Sequence, residues 1–133
     1  MILLILAAAV CALVQGWIVD TPDFDGSNDP WAVSVEQAMN YDSVIWVDAR
    51  SEKAFTGAHL GGAIRLDPDG GDEGLFQILS LWDPGSTIIV YCDGNGCESS
   101  KAIAKQLRAE LGSESVFWLV GGWPALQEAG AVP

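Results

Sequence analysis

IIVYCDGNGCESSKAIA, residues Ile88 to Ala104, is the stretch on which the fold turns. Thr87 to Tyr91 is an unbroken run of β-branched and aromatic residues, the pattern of a strand covered on both faces. Asp93-Gly94-Asn95-Gly96 follows as a loop whose glycines let backbone N–H groups turn inward. A helix then starts near positions 97–99. From Ser100 to Leu111 it sets Ile103, Ala104, Leu107 and Leu111 on one face and Lys101, Lys105 and Arg108 on the other. A strand handing over to a loop and a helix brings Cys92 to the carboxyl edge of a sheet, where ligands collect in open α/β folds. A sulfur above inward-turned amides and a helix N-terminus feels positive potential, which favours thiolate over thiol. The same cradle would stabilise a persulfide or an oxyanion. A strand-end cysteine is otherwise an inert small hydrophobe, and the Gly-x-Gly loop with its helix start is what points to chemistry.

Outward from this junction the text alternates. Val44 to Val47, Ala63 to Leu66 and Val116 to Val120 read as further strands. Ser34 and Gln37 form a capping box opening a helix to about Met39, and Ser51 caps a brief helix through Phe55. Leu75, Ile78, Leu79 and Trp82 share one face of a helix that Pro84-Gly85 ends. Trp123 to Glu128 is a last short helix. Strands and helices in alternation require crossover connections and a parallel sheet covered on both faces. No internal repeat is visible.

The chain has 133 residues, half of them apolar, enough for one core. Six basic against eighteen acidic residues leave a net charge of −12, which excludes nucleic acid and polybasic membrane docking as functions. The three cysteines, Cys11, Cys92 and Cys97, are too few for a disulfide framework, and the single histidine, His59, excludes multi-histidine metal sites. Met1 to Val19 is uncharged and apolar on all faces. As a helix it would span about 28 Å, close to the ~30 Å of a bilayer core. No basic residue precedes it and no small-x-small site ends it, so an uncleaved transmembrane anchor is expected rather than a signal peptide. Trp17 suits the membrane interface. With no basic stop after the span, the remainder is expected on the extracytoplasmic side. The expected organisation is an anchor, or an uncleaved signal, at 1–19, an acidic linker at 20–30 and a domain at 31–133.

Val47-Asp48-Ala49-Arg50, then Gly57-Ala58-His59-Leu60-Gly61-Gly62-Ala63, then Ile89-Val90-Tyr91-Cys92, then Gly121-Gly122-Trp123 with Ala129-Gly130, match in order and spacing the landmarks of rhodanese-like domains. The resemblance covers about Trp31 to Val132. It implies an α/β fold with a five-stranded parallel sheet flanked by helices. It implies a cysteine, Cys92 by position, that takes a sulfane sulfur as a persulfide and passes it to a small thiol or a protein thiol. No metal or organic cofactor is implied. A membrane-protein partner is compatible with the anchor.

The chain also departs from that family. Family loops run six residues from the cysteine and often carry a basic residue; here Asp93 and Glu98 stand instead, with no basic residue between Cys92 and Ser100. With the helix pinned on Ser99-Ser100-Lys101 the loop is about two residues longer than usual. Carboxylates beside a thiolate oppose its ionisation and repel an anionic donor by about 1 kcal/mol per close pair, so efficient thiosulfate use is not expected. A phosphatase reading fails for want of an arginine in the loop. Cys97 has two readings, a resolving thiol that forms a disulfide with Cys92 or a residue packed beneath the loop. The function therefore stands as sulfur transfer, with thiol–disulfide or persulfide reduction by the Cys92/Cys97 pair and a catalytically silent interaction module as alternatives. Asp48 and Arg50 either orient the loop or form a structural ion pair. His59 is expected to fix its turn through backbone groups. Asp67 to Glu73 reads as a solvated acidic turn, and most of the tryptophans as core.

Overall fold

The computed structural model describes residues 28–67, 69–94 and 98–133. The expected anchor at 1–19 lies outside them. Among the described residues no helix is long and apolar enough to cross a membrane.

Five strands form one sheet: β1 (Ala32–Val33), β2 (Val44–Asp48), β3 (Ile64–Arg65), β4 (Thr87–Tyr91) and β5 (Val116–Leu119). All pair parallel in the order β1-β5-β4-β2-β3, so β4 is central. The helices are α1 (Val35–Ala38), α2 (Glu52–Gly57), α3 (Glu73–Leu81), α4 (Glu98–Leu111) and α5 (Gly122–Glu128). Both predicted N-caps are present. Ser34 and Gln37 close a reciprocal capping box on α1, and the Ser51 hydroxyl accepts from the Ala54 N–H at 3.2 Å.

The two-residue period of β4 divides the core. Ile88, Val90 and Cys92 face a cluster built with Ile78 of α3 and Ile103, Ala104 and Leu107 of α4. Ile89 and Tyr91 face the other side, with Ala38 of α1 and Leu126 of α5. All five β4 residues are buried, as a strand covered on both faces requires. Cys92, one step beyond the strand, thereby emerges on the side of α3 and α4.

Several side chains lie elsewhere than the sequence implied. Leu79 is exposed, because Gly74 fixes how α3 sits: a Cβ there would meet the Arg65 carbonyl oxygen at 2.4 Å. Lys101 and Arg108 do not simply point outward. The Lys101 ammonium lies 4.6 Å from the Trp118 ring centre, and the Arg108 guanidinium 4.1 Å from that of Trp31, so both stems lay their charges over indoles. Burial lowers the Arg108 pKa, against the pull of Asp29. Of the tryptophans in the described residues only Trp118 is fully buried; Trp31, Trp46, Trp82 and Trp123 are half-buried. The domain also begins before Trp31, since the Asp29 carboxylate accepts from the Trp31 N–H and from the Trp118 indole N–H, each at 2.9 Å. In the acidic turn, Asp67 accepts from the Asp69 N–H at 3.0 Å and from Arg65 at 2.8 Å. The Asp69 hydrogen bond chiefly, with Arg65, holds its carboxyl below the usual range despite some desolvation.

Candidate active site

Cys92 stands at the carboxyl end of the central strand with 6 % of its surface exposed. The residue borders a hollow of about 330 Å³, lined also by Arg50, Ser51, Asp93, Glu98 and Ser99. The backbone N–H of Gly94 points at the Cys92 sulfur at 3.5 Å. Gly94 adopts φ +101°, a conformation open to glycine, and this turns its N–H back over the sulfur. Helix α4 is described from Glu98 onward. Asn95, Gly96 and Cys97 lie outside the described residues.

The start of α5 supports the cysteine from below. The Trp123 N–H donates to the Cys92 carbonyl at 2.8 Å. Gly121 and Gly122 take φ +79° and +52°, and a Cβ on Gly122 would lie 2.4 Å from that carbonyl oxygen and 2.8 Å from the Gly94 nitrogen. The sheet therefore fixes Cys92 from one side, and a helix start that only glycine admits fixes it from the other.

Arg50 borders the hollow, yet its guanidinium is committed inward. It bonds both carboxylate oxygens of Asp48, at 2.8 to 3.1 Å, and donates to the Ala58 carbonyl at 2.6 Å. It also lies 3.9 Å from the centre of the Trp123 ring. Burial opposes its charge, but the hydrogen bond and charge of Asp48 outweigh burial and leave the pKa raised. Asp48, fully buried, also accepts from the Tyr91 hydroxyl at 2.7 Å, and that hydroxyl accepts from the Leu60 N–H at 3.2 Å. Of the two sequence readings for Asp48 and Arg50, the structure shows the ion pair. It joins the ends of β2 and β4, the turn after α2 and the start of α5. His59 lies beyond this frame; its Nδ1 is 2.8 Å from the Phe55 carbonyl and its ring stacks on Phe55 at 3.9 Å, in keeping with a turn-fixing role.

Sequence reasoning missed Tyr91 and Trp123 as site residues. A tyrosine inside a strand covered on both faces carries a hydroxyl that must find a buried partner, which was the available signal. Burial first, then the Asp48 carboxylate, pushes the Tyr91 phenol well above its ordinary pKa, against the Leu60 N–H and Arg50. Because the folded value exceeds the unfolded one, the stabilisation is whole below pH ~10 and is lost as pH rises through the folded value. In a Tyr41→Phe variant, where Tyr91 is the only tyrosine, phenolate absorbance is expected to rise near pH 10 in urea but at distinctly higher pH in the native protein. Coincident titration curves would show that the phenol is neither sealed from water nor bound to Asp48.

A parallel five-stranded α/β domain with a loop cysteine at the carboxyl end of its central strand is the class these observations define. The family model described as Rhodanese-like domain matches residues 32–129. The chain belongs to the rhodanese-like domain family. Among solved structures, it is similar to the BH2092 protein of Bacillus halodurans, with TM-score 0.59 and 24 % identity over 77 % of this chain and 76 % of that one. It is likewise similar to the N-terminal domain of a Clostridium difficile 630 protein described as a putative ATP/GTP binding protein, with TM-score 0.56 and 23 % identity over 74 % of this chain and 98 % of that one. At these identities the likeness concerns the fold. A search of the curated proteins found no match.

Proposed function

We propose that the domain transfers sulfane sulfur through a persulfide on Cys92. The observation that carries this reading is Cys92 bordering the 330 Å³ hollow with the Gly94 N–H directed at its sulfur. Membership of the rhodanese-like family supports the same chemistry. In the loading step the Cys92 thiolate attacks the outer sulfur of a donor persulfide. The donor S–S bond breaks and its electron pair leaves on the donor thiolate. In the unloading step an acceptor thiolate attacks the outer sulfur of the Cys92 persulfide, and the pair returns to the Cys92 sulfur. The two steps balance without any external oxidant or reductant. The Gly94 N–H is placed to bond the sulfur in both forms, and the carbonyl bond to Trp123 holds the backbone still between them.

Intact-mass measurement after incubation with a small organic persulfide tests this. The chain is expected to gain about 32 Da, one sulfur, and Cys92→Ala to gain none at that position. A loss of two hydrogens under mild oxidation that Cys97→Ala abolishes would favour the resolving-thiol reading. Inertness of Cys92 towards every electrophile would leave an interaction module. The same proposal keeps the domain at a membrane through residues 1–19, so the chain is expected to stay with membranes after an alkaline carbonate wash; release into the supernatant would overturn the anchor and leave the sulfur chemistry untouched.

A further inference from the structure

Among the described residues the hollow at Cys92 is bordered by three charged side chains, and they are not equivalent. Arg50, the cation that would greet an anionic donor, is turned from the cavity and matched by Asp48. Glu98 is met by Lys101 at 3.9 Å across one turn of α4. Asp93, next in chain to the cysteine and exposed, has no ion pair among the described residues, and its charge is felt at Arg50. The other polar residues that border the cavity among the described ones, Ser51 and Ser99, are neutral. Within a chain of net charge −12 no distant excess of positive charge offsets it.

We propose that Asp93 is a specificity-determining residue, which makes the Cys92 hollow select sulfur carriers bearing a positive charge beside their sulfur. The class comprises aminoalkyl persulfides and thiols, and cysteine sulfurs flanked by lysine or arginine. A carrier whose cation lies two or three bonds from its sulfur brings that charge to Asp93 when its outer sulfur reaches the Cys92 sulfur. A carboxylate in the same place meets Asp93 and Glu98 instead. This inference rests on the sulfur transfer proposed for Cys92, and the test separates the two.

The probes are 2-aminoethyl hydropersulfide, a cation, and carboxymethyl hydropersulfide, an anion of similar size, offered to the full chain with the added sulfur read by mass on the peptide containing Cys92. After correction for their rates with a free neutral thiol, the cation is expected to load Cys92 about tenfold faster at low salt. In about 1 M salt, where the Debye length is ~3 Å, the ratio should shrink towards one. Asp93→Asn should lower it and Asp93→Lys should invert it. Equal loading by the two persulfides, or a ratio unmoved in Asp93→Asn, overturns the inference while sulfur transfer stands. Should neither persulfide load Cys92, a matched pair of cationic and anionic alkyl methanethiosulfonates reports the pocket alone. A cation preference there that Asp93→Asn reduces upholds the charge selection and overturns only the sulfur transfer.

Discussion

Arg50→Met is expected to destabilise the domain by about 3–5 kcal/mol, measured from the urea midpoint of the full chain. Methionine fills much of the volume of the arginine stem, so packing over Trp123 is largely kept. What is lost is the counter-charge of a carboxylate with no exposed surface: among the described residues Asp48 keeps only the Tyr91 hydroxyl and the residue-50 backbone N–H, the latter at 2.8 Å. Leaving one buried charge bare costs far more than the pair itself contributes, because desolvation of the survivor goes uncompensated. The Ala58 carbonyl also loses its 2.6 Å donor. The double variant Asp48→Asn with Arg50→Met removes the bare charge and keeps an acceptor for Tyr91, so it is expected to be more stable than Arg50→Met alone. A single variant within about 1 kcal/mol of the parent, or a double variant no better than the single, would show that the pair is not a keystone.

The sequence made some of this plain and hid the rest for identifiable reasons. The β2 and β4 strands announce themselves because burial on both faces leaves a chain no choice but continuous β-branched and aromatic residues. The five-strand count comes from the resemblance. Strand β1 is invisible locally, since Ala32–Val33 is too short to show a period and exists through its register with Trp118 and Leu119 of β5. Helical periodicity misplaces Leu79 because it gives neighbours on a face but not how far that face rolls. That is set here by Gly74 touching the Arg65 backbone, a contact between elements. Charge alone sends Lys101 and Arg108 outward, although both stems are long enough to lay a cation over an indole.

At the site, Cys92, Asp93, Gly94, Glu98 and Ser99 are readable from one strand–loop–helix junction, and the structure places all five about the same hollow or its sulfur. Arg50 is legible as a member of that edge, but not the direction of its guanidinium. That depends on Ala58 and on Trp123, far along the chain, and no local pattern encodes it. The consequence is chemical: an arginine that counts as positive in the sequence is already matched at the pocket, which is why the loop carboxylates decide its character.

The second large effect concerns Gly122, and a matched control isolates its cause. Gly112 and Gly122 both sit in the left-handed region, at φ +60° and +52°, so alanine at either position carries a similar backbone cost of about 1–2 kcal/mol. Around Gly112 nothing lies within 4 Å of an added Cβ, whereas at Gly122 that carbon would sit 2.4 Å from the Cys92 carbonyl oxygen and 2.8 Å from the Gly94 nitrogen. Both obstacles are backbone, which cannot swing aside as a side chain would. Gly122→Ala must therefore push α5 away from the cysteine loop, adding about 1–3 kcal/mol of overpacking to the strain it shares with Gly112→Ala. The displacement breaks the Trp123 N–H bond to the Cys92 carbonyl and moves the Gly94 N–H off the sulfur, since both belong to the segment that must shift. Gly122→Ala is accordingly expected to unfold at lower urea than Gly112→Ala and to slow iodoacetamide alkylation of Cys92 at pH 7 by about tenfold or more, with Gly112→Ala alkylating at the parental rate. Equal stability losses would mean that α5 yields freely. Unchanged alkylation in Gly122→Ala would mean that the amide over the sulfur contributes nothing to its reactivity.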